Sequence, residues 1–82
     1  GAQAALVERR ADGSWLVDGI VDIRRLSSLI ETNLVDRHNR YATLAGYVLS
    51  QLGHLPAPGE RVVDRGLAFE IVETDGRNIG KV

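Results

Sequence analysis

The stretch Tyr41-Ala-Thr-Leu-Ala-Gly-Tyr-Val-Leu-Ser-Gln-Leu-Gly-His-Leu-Pro56 constrains the fold more than any other part of the chain. Leu44, Val48, Leu49 and Leu52 recur at helical spacing, and Tyr41 and Ala45 extend the same apolar stripe. Thr43 suits the N-cap, because its hydroxyl can accept from a first-turn N–H that has no helical partner. Gly53 suits a left-handed C-terminal position, and Pro56 prevents continuation. Gly46, inside the helix, costs roughly 1 kcal/mol against alanine. That cost predicts a close approach of another backbone at Ala45-Gly46.

A chain of 82 residues supports one domain with a small core. With 44% hydrophobic and 26% charged residues it has the make-up of a soluble globular domain. A net charge of −1 argues against a nucleic-acid partner, whose proteins are normally basic. Cysteine is absent, which removes thiolate zinc sites and disulfides and suits a reducing compartment. No apolar run approaches the ~20 residues that span a bilayer, and no signal peptide is visible. The chain starts at Gly1 without an initiator methionine, which reads as an excised domain. Residues 1–5 are expected to be a cloning remnant or linker, and residues 6–82 a single domain.

Ala4 to Arg9 and Ser14 to Asp18 read as strands joined at Ala11-Asp12-Gly13, because Asp-Gly tolerates positive φ. Trp15 and Val17 share one face of the second strand and Leu16 takes the other, so this strand is expected in the interior of a sheet. Asp18-Gly19 ends it, and Asp12 and Asp18 are read as turn formers. Asp22 is the expected N-cap of a first helix running to about Glu31, with Ile23, Leu26, Leu29 and Ile30 as its buried stripe. Thr32 to Arg40 reads as a loop. Ala57-Pro-Gly59-Glu60 turns the chain out of the second helix. Strands are expected over Glu60 to Asp64, Leu67 to Thr74, and Asn78 to Val82, with Asp75-Gly76 as a hairpin turn. Leu67, Phe69 and Ile71 should share one face, with Ala68, Glu70 and Val72 on the other; Ile79 is the inward anchor of the last strand, with Lys81 partly exposed. The order β-β-α-α-β-β-β predicts an α+β layer, a mainly antiparallel five-stranded sheet with both helices on one face.

No catalytic constellation emerges. Ser27, Ser28, His38 and His54 are present without a nucleophile-elbow sequence. His38 reads as an exposed loop residue, and His54 as a partner for the carbonyls that end the second helix. Asp18, Asp22, Glu70 and Glu73 lack calcium-loop spacing, and no phosphate-cradling glycine loop is present. Arg24-Arg25 near a helix start reads as a solvated face, with a partner surface as the alternative. The chain is therefore read as a non-enzyme without a cofactor, catalytic residue or metal site. A homodimer formed through a sheet edge or through the helices is a further expectation, the edge version to be tested by removing Asn78 to Val82.

The segments Asp12-Gly-Ser-Trp-Leu-Val-Asp-Gly19, Tyr41-Ala-Thr-Leu-Ala-Gly46, Leu52-Gly-His-Leu-Pro56, Gly59-Glu60 and Leu67-Ala-Phe-Glu-Ile-Val-Glu-Thr-Asp-Gly-Arg-Asn-Ile79 carry a resemblance. In this order and spacing, from about Leu6 onward, the chain resembles the CorC/HlyC transporter-associated domain. That family's members carry an N-terminal membrane domain, then a pair of CBS domains, then this module. The resemblance implies an accessory or regulatory role in magnesium and cobalt efflux or in haemolysin-like proteins, on the cytoplasmic side of the inner (plasma) membrane. It makes the CBS pair and the membrane domain the expected partners, and residues 1–5 the link to the CBS pair. Binding of a small ligand, nucleotide or metal ion, is the alternative. The fold is similar in shape to a domain of FAD-dependent oxidases, which says nothing of flavin. The motif residues Asp12, Gly13, Trp15, Asp18, Gly19, Tyr41, Thr43, Leu44, Gly46, Gly53, Pro56, Gly59, Phe69, Asp75 and Gly76 are expected in structural roles, Trp15 and Phe69 in the core. Arg24-Arg25 departs from the family, whose members often carry acidic residues there.

Overall fold

Local capping chemistry places both helices. In the computed structural model, which describes residues 6–76 and 78–82, helix α1 spans Ile23–Leu29 and α2 spans Leu44–Leu52. Asp22 Oδ1 accepts from the Arg24 N–H at 2.8 Å, and Thr43 Oγ1 accepts from the Gly46 N–H at 3.1 Å. Each satisfies a first-turn donor that the helix itself leaves unpaired. The two starts are also bonded to each other, since Ile23 N donates to Ala42 O and Leu44 N to Val21 O. Gly53 ends α2 in the left-handed region, at φ 73°. Helix α1 stops short of the expected Glu31, because Glu31 itself turns left-handed at φ 53°. Tyr41 precedes α2 instead of belonging to it, and its hydroxyl donates to Leu34 O at 2.6 Å.

Among the described residues the strands are β1 (Val7–Arg9), β2 (Trp15–Val17), β3 (Arg61–Asp64), β4 (Leu67–Glu70), β5 (Glu73–Asp75) and β6 (Asn78–Lys81). They form three two-stranded antiparallel ladders, β1-β2, β3-β4 and β5-β6. The α+β class is as expected, but the single five-stranded sheet is not formed as such. The segment expected as one long strand, Leu67 to Thr74, breaks because it changes partner. Ile71 N donates to Glu60 O on the β3 side, whereas Val72 N donates to Lys81 O on the β6 side. Val17 and Val82 exchange both backbone hydrogen bonds at 2.9 Å, and Gly19 N donates to Gly80 O. These bonds stitch the ladders together and make β2 interior, as its two-faced apolar pattern predicts. They also place the segment Asn78 to Val82 between β5 and the end of β2 instead of at an edge; among the described residues the unpaired edges belong to β1 and β3.

The turns are built as their residues require, with adjustments. Asp12 Oδ1 accepts from Ser14 N and Ser14 Oγ, and Asp18 Oδ1 accepts from Ile20 N. Of the Asp12-Gly13 pair, Gly13 alone has positive φ, and the loop runs from Arg10 to Ser14. Asp75 is paired with Asn78 at the ladder's end, with Gly76 at φ 59° beyond it. The expected start of the first strand at Ala4, the residues 1–5 read as remnant or linker, and Arg77 of the motif match lie outside the described residues.

The core joins Val17, Val21, Ile23, Leu26, Leu34, Leu44, Tyr47, Val48, Val62, Phe69, Ile71, Ile79 and Val82. Helix α2 packs on β3 and β6. The inward faces of β4 and β6 follow the period-two reading, with Phe69, Ile71 and Ile79 buried and Ala68 and Glu70 exposed. Tyr47, absent from the expected stripe, is fully buried at its centre. Its ring meets Tyr41 and Phe69 edge-on, with centroids 5.5 and 5.2 Å away. Leu29 departs the other way and is 41% exposed.

The close backbone approach expected at Ala45-Gly46 is found at Ala45, whose N–H donates to Gly19 O at 2.9 Å, and not at Gly46. A Cβ on Gly46 would meet Tyr41 Cβ at 3.0 Å and Thr43 Oγ1 at 3.4 Å, both from the segment leading into its own helix. A Cβ on Gly19 would lie 2.2 Å from Ile79 O and 3.0 Å from Ala45 Cβ. Gly19 is thus the point where β6 and the start of α2 converge.

Candidate functional site

A concavity opens between the β1-β2 and β3-β4 ladders, with the C-terminal end of α1 as a third wall. Its volume is about 750 Å³. The two ladders do not pair directly; the end of the chain lies between them, bonded to β2 at Val17 and to the β4–β5 junction at Val72. Core side chains reach its floor, among them Val17, Leu26, Leu44 and Phe69. Leu29 and Val72, both partly exposed apolar residues, stand in its walls. The rim carries charges of both signs, from Arg9, Arg10 and Arg61 and from Asp12, Glu31 and Glu70.

Trp15 stands at this rim and is half-buried, where the sequence reading put it in the core. Arg9 is its cross-strand partner, and the guanidinium carbon lies 4.6 Å from the ring centroid. Such stacking covers an aromatic face while leaving the cation hydrated. Among the motif residues, Asp12, Gly13, Trp15, Leu44 and Phe69 come together around the concavity. Asp18, Gly19, Tyr41, Thr43, Gly46, Gly53, Pro56, Gly59, Asp75 and Gly76 do not line it; they occupy turns, caps and close contacts.

A second, polar hollow of about 270 Å³ lies beside Asp36, Arg40, Tyr41 and Arg65. Sequence reasoning passed over its charges, reading Thr32 to Arg40 as loop. Asp36 is nonetheless buried, accepting from Arg40 N at 2.7 Å and from Arg40 Nη2 and Nε at 3.0 and 3.2 Å. Hydrogen bonds from Arg40 hold its carboxyl well below the usual value, at about 2. The signal was an Asp four residues before an Arg in a polar run. Nearby, the buried Tyr47 hydroxyl donates to Asp64 Oδ2, and Arg65 Nε stands 3.7 Å from the same carboxylate. Burial, and then this bond, push the Tyr47 phenol above its usual value.

The Asp36 arrangement has a pH consequence. A carboxyl depressed in the folded state contributes stability above its unfolded pKa and loses it as pH falls through the folded one. The thermal midpoint of the native chain should exceed that of Asp36→Asn near neutral pH. The gap should shrink from about pH 4 downward and close near pH 2. A gap that stays constant over that range would contradict the assignment.

Ser27 and His54, two of the residues that could carry nucleophilic chemistry, are engaged in local structure. Ser27 Oγ donates to Ile23 O and accepts from Leu34 N. His54 does not cap α2 as expected; its Nε2 stands 3.2 Å from Glu60 Oε2 and its Nδ1 2.9 Å from Leu55 O, bracing the turn before β3. His38 is exposed in its loop. Among the described residues no three His, Cys, Asp or Glu side chains are grouped to hold a metal, and no helix is long and apolar enough to cross a membrane.

Residues 8–82 match the family CorC_HlyC, described as the transporter associated domain. A solved transporter associated domain from Nitrosomonas europaea is similar at 49% identity and a TM-score of 0.90, covering 96% of this chain and 93% of that one. The corresponding domain of a Xylella fastidiosa Temecula1 hemolysin, solved in complex with Mg++ and Mn++, is 39% identical with a TM-score of 0.81, covering 94% and 91%. A polyamine export protein of Salmonella typhimurium is 27% identical over 73 residues, which make up 89% of this chain and 16% of that protein. The first curated relatives, called UPF0053 proteins, are likewise much longer: the matched regions span 14% and 18% of them.

Proposed function

This chain belongs to the CorC_HlyC family of transporter associated domains, and we propose on that premise that it is an accessory domain regulating cation export by a larger protein. The observation that carries the reading is the family match over residues 8–82, together with relatives of which the matched regions make up only 14–18%, one of them a polyamine export protein. The rest of that larger protein, a CBS pair and a membrane domain, is the partner, and the module sits on the cytoplasmic side of the inner membrane. Its motif residues serve structural roles, and the module contributes contacts instead of chemistry. The concavity between the ladders, with Leu29 and Val72 in its walls, is the surface we assign to contact with the CBS pair. The cargo is a divalent metal such as magnesium or cobalt.

The experiment is export from vesicles containing the full-length protein, with and without residues 8–82, for Mg²⁺, Co²⁺ and a polyamine separately. Removal should change the rate for the true cargo by at least about fivefold, the effect of a coupling near 1 kcal/mol. Unchanged rates for all three would contradict an accessory role, and a change confined to the polyamine would replace the metal as cargo.

A second reading, binding of a metal ion by the domain itself, is favoured by the Mg++ and Mn++ complex of the Xylella domain. It ranks second because no metal-holding group is assembled among the described residues.

A further inference from the structure

We propose that Asp75-Gly76 is a site of spontaneous backbone isomerisation to isoaspartate, set apart by the fold from the two other Asp-Gly pairs of the chain. In this reaction the Gly amide nitrogen attacks the Asp side-chain carbon. A C–N bond forms, the C–OH bond breaks, and water leaves with the amide proton. Water then reopens the succinimide ring at either carbonyl, returning aspartate or leaving isoaspartate with no net change in mass. The step needs a free following N–H, an unengaged side-chain carboxyl and a backbone able to rotate. Glycine after the aspartate removes the steric barrier, so the sequence alone makes Asp12-Gly13, Asp18-Gly19 and Asp75-Gly76 equal candidates.

The fold disables two of them. Gly19 is buried, its N–H donates to Gly80 O at 2.9 Å, and its carbonyl accepts from Ala45 N at 2.9 Å. The Asp18 carboxylate is meanwhile held by Ile20 N. At the first hairpin, the Gly13 N–H donates to Arg10 O at 3.0 Å. Asp12 Oδ1 accepts from Ser14 N at 2.9 Å and from Ser14 Oγ at 2.6 Å. Those bonds hold the Asp12 carboxyl below its usual value, in the anionic form that is the poorest electrophile. Asp75 and Gly76 are both exposed, and among the described residues no hydrogen bond engages the Asp75 carboxylate or the Gly76 N–H. The ladder beside them is already irregular, with a register shift between Glu73 and Thr74. Isomerisation there inserts a methylene into the backbone at the Asp75–Asn78 pair that closes the β5-β6 ladder.

Trypsin separates the sites, because Gly66–Arg77 carries Asp75 and Ala11–Arg24 carries both Asp12 and Asp18. The folded protein is aged at neutral pH and physiological temperature, digested, and its isoaspartyl peptides are resolved by chromatography and electron-transfer fragmentation. Isoaspartate should accumulate in Gly66–Arg77 at least about tenfold faster than in Ala11–Arg24, the factor imposed by about 1.4 kcal/mol of local opening. Aged in denaturant, the two peptides should react at comparable rates per Asp-Gly pair. Asp75→Glu should abolish the signal in Gly66–Arg77. Equal rates in the folded protein, or faster reaction in Ala11–Arg24, would overturn the proposal.

Discussion

Gly19→Ala should lower the thermal midpoint by about 12–24 °C, while Gly80→Ala should leave it nearly unchanged. The added methyl at position 19 would stand 2.2 Å from the Ile79 carbonyl oxygen and 3.0 Å from Ala45 Cβ. A carbonyl oxygen is backbone, so no rotamer change relieves the clash. Either β6 or the first turn of α2 has to move. Both are bonded to Gly19 itself, through Gly80 O and Ala45 N, so movement breaks the contacts that stitch β2 to β6 and to α2. Overpacking of this sort costs about 3 kcal/mol. In a domain of this size each kcal/mol shifts the midpoint by about 4–8 °C. Gly80 is the control because it exchanges a hydrogen bond with Gly19, yet a Cβ there meets its nearest neighbours, on Glu73, at an ordinary 3.6 Å. Thermal melts of the two variants side by side give the answer. Equal midpoints would show that the backbones do not converge at Gly19.

Tyr47→Ala should be the most damaging truncation in α2, at about 3–5 kcal/mol for a fully buried aromatic ring. Three interactions end together: the edge contacts with Tyr41 and with Phe69, and the hydroxyl bond to Asp64. Tyr47→Phe separates them, since it keeps the ring and removes the hydroxyl. Its cost should be about 1–2 kcal/mol, low in the range for bonds to charged groups, because Asp64 retains 27% side-chain exposure and water can replace the donor. Denaturant unfolding of the three proteins measures both steps. A Phe variant as unstable as the Ala variant would show that the hydroxyl, and not the packing, holds the helix to β3.

The legible parts of this fold are those fixed by neighbours in sequence. Asp22, Thr43 and Gly53 cap helices through atoms within three residues of them, or through their own φ, so residue type and position suffice. Alternation along Leu67 to Ile71 likewise grouped Phe69 and Ile71, both buried, on one face. Non-local contacts were harder to read. Whether Gly19 or Gly46 receives a second backbone depends on where β6 lands, which neither glycine's surroundings reveal. The break between β4 and β5 arises from a change of partner, invisible in a run that is uniformly strand-like. Tyr47 escaped the apolar stripe because its polar tip disguises a ring that belongs there, and its acceptor Asp64 lies 17 residues away. Trp15 misled in the opposite direction. Its size argues for the core, but its register opposite Arg9 sets it at the mouth of the concavity. The motif residues around that concavity were identifiable by family likeness, while the concavity itself depends on how non-local ladders and the end of α1 come together.

The central claim is that this domain works by contact with the remainder of its own protein. It is tested most directly by NMR titration of the isotopically labelled domain with the separately produced CBS pair of the same protein, and in parallel with Mg²⁺, Co²⁺, a polyamine and adenine or flavin nucleotides. The account predicts saturable shifts with the CBS pair, clustered on Trp15, Leu29 and Val72 around the concavity, and none of comparable size with the small ligands. Saturable, localised shifts with a metal ion or nucleotide and none with the CBS pair would contradict it, and would make the domain a ligand-binding module instead.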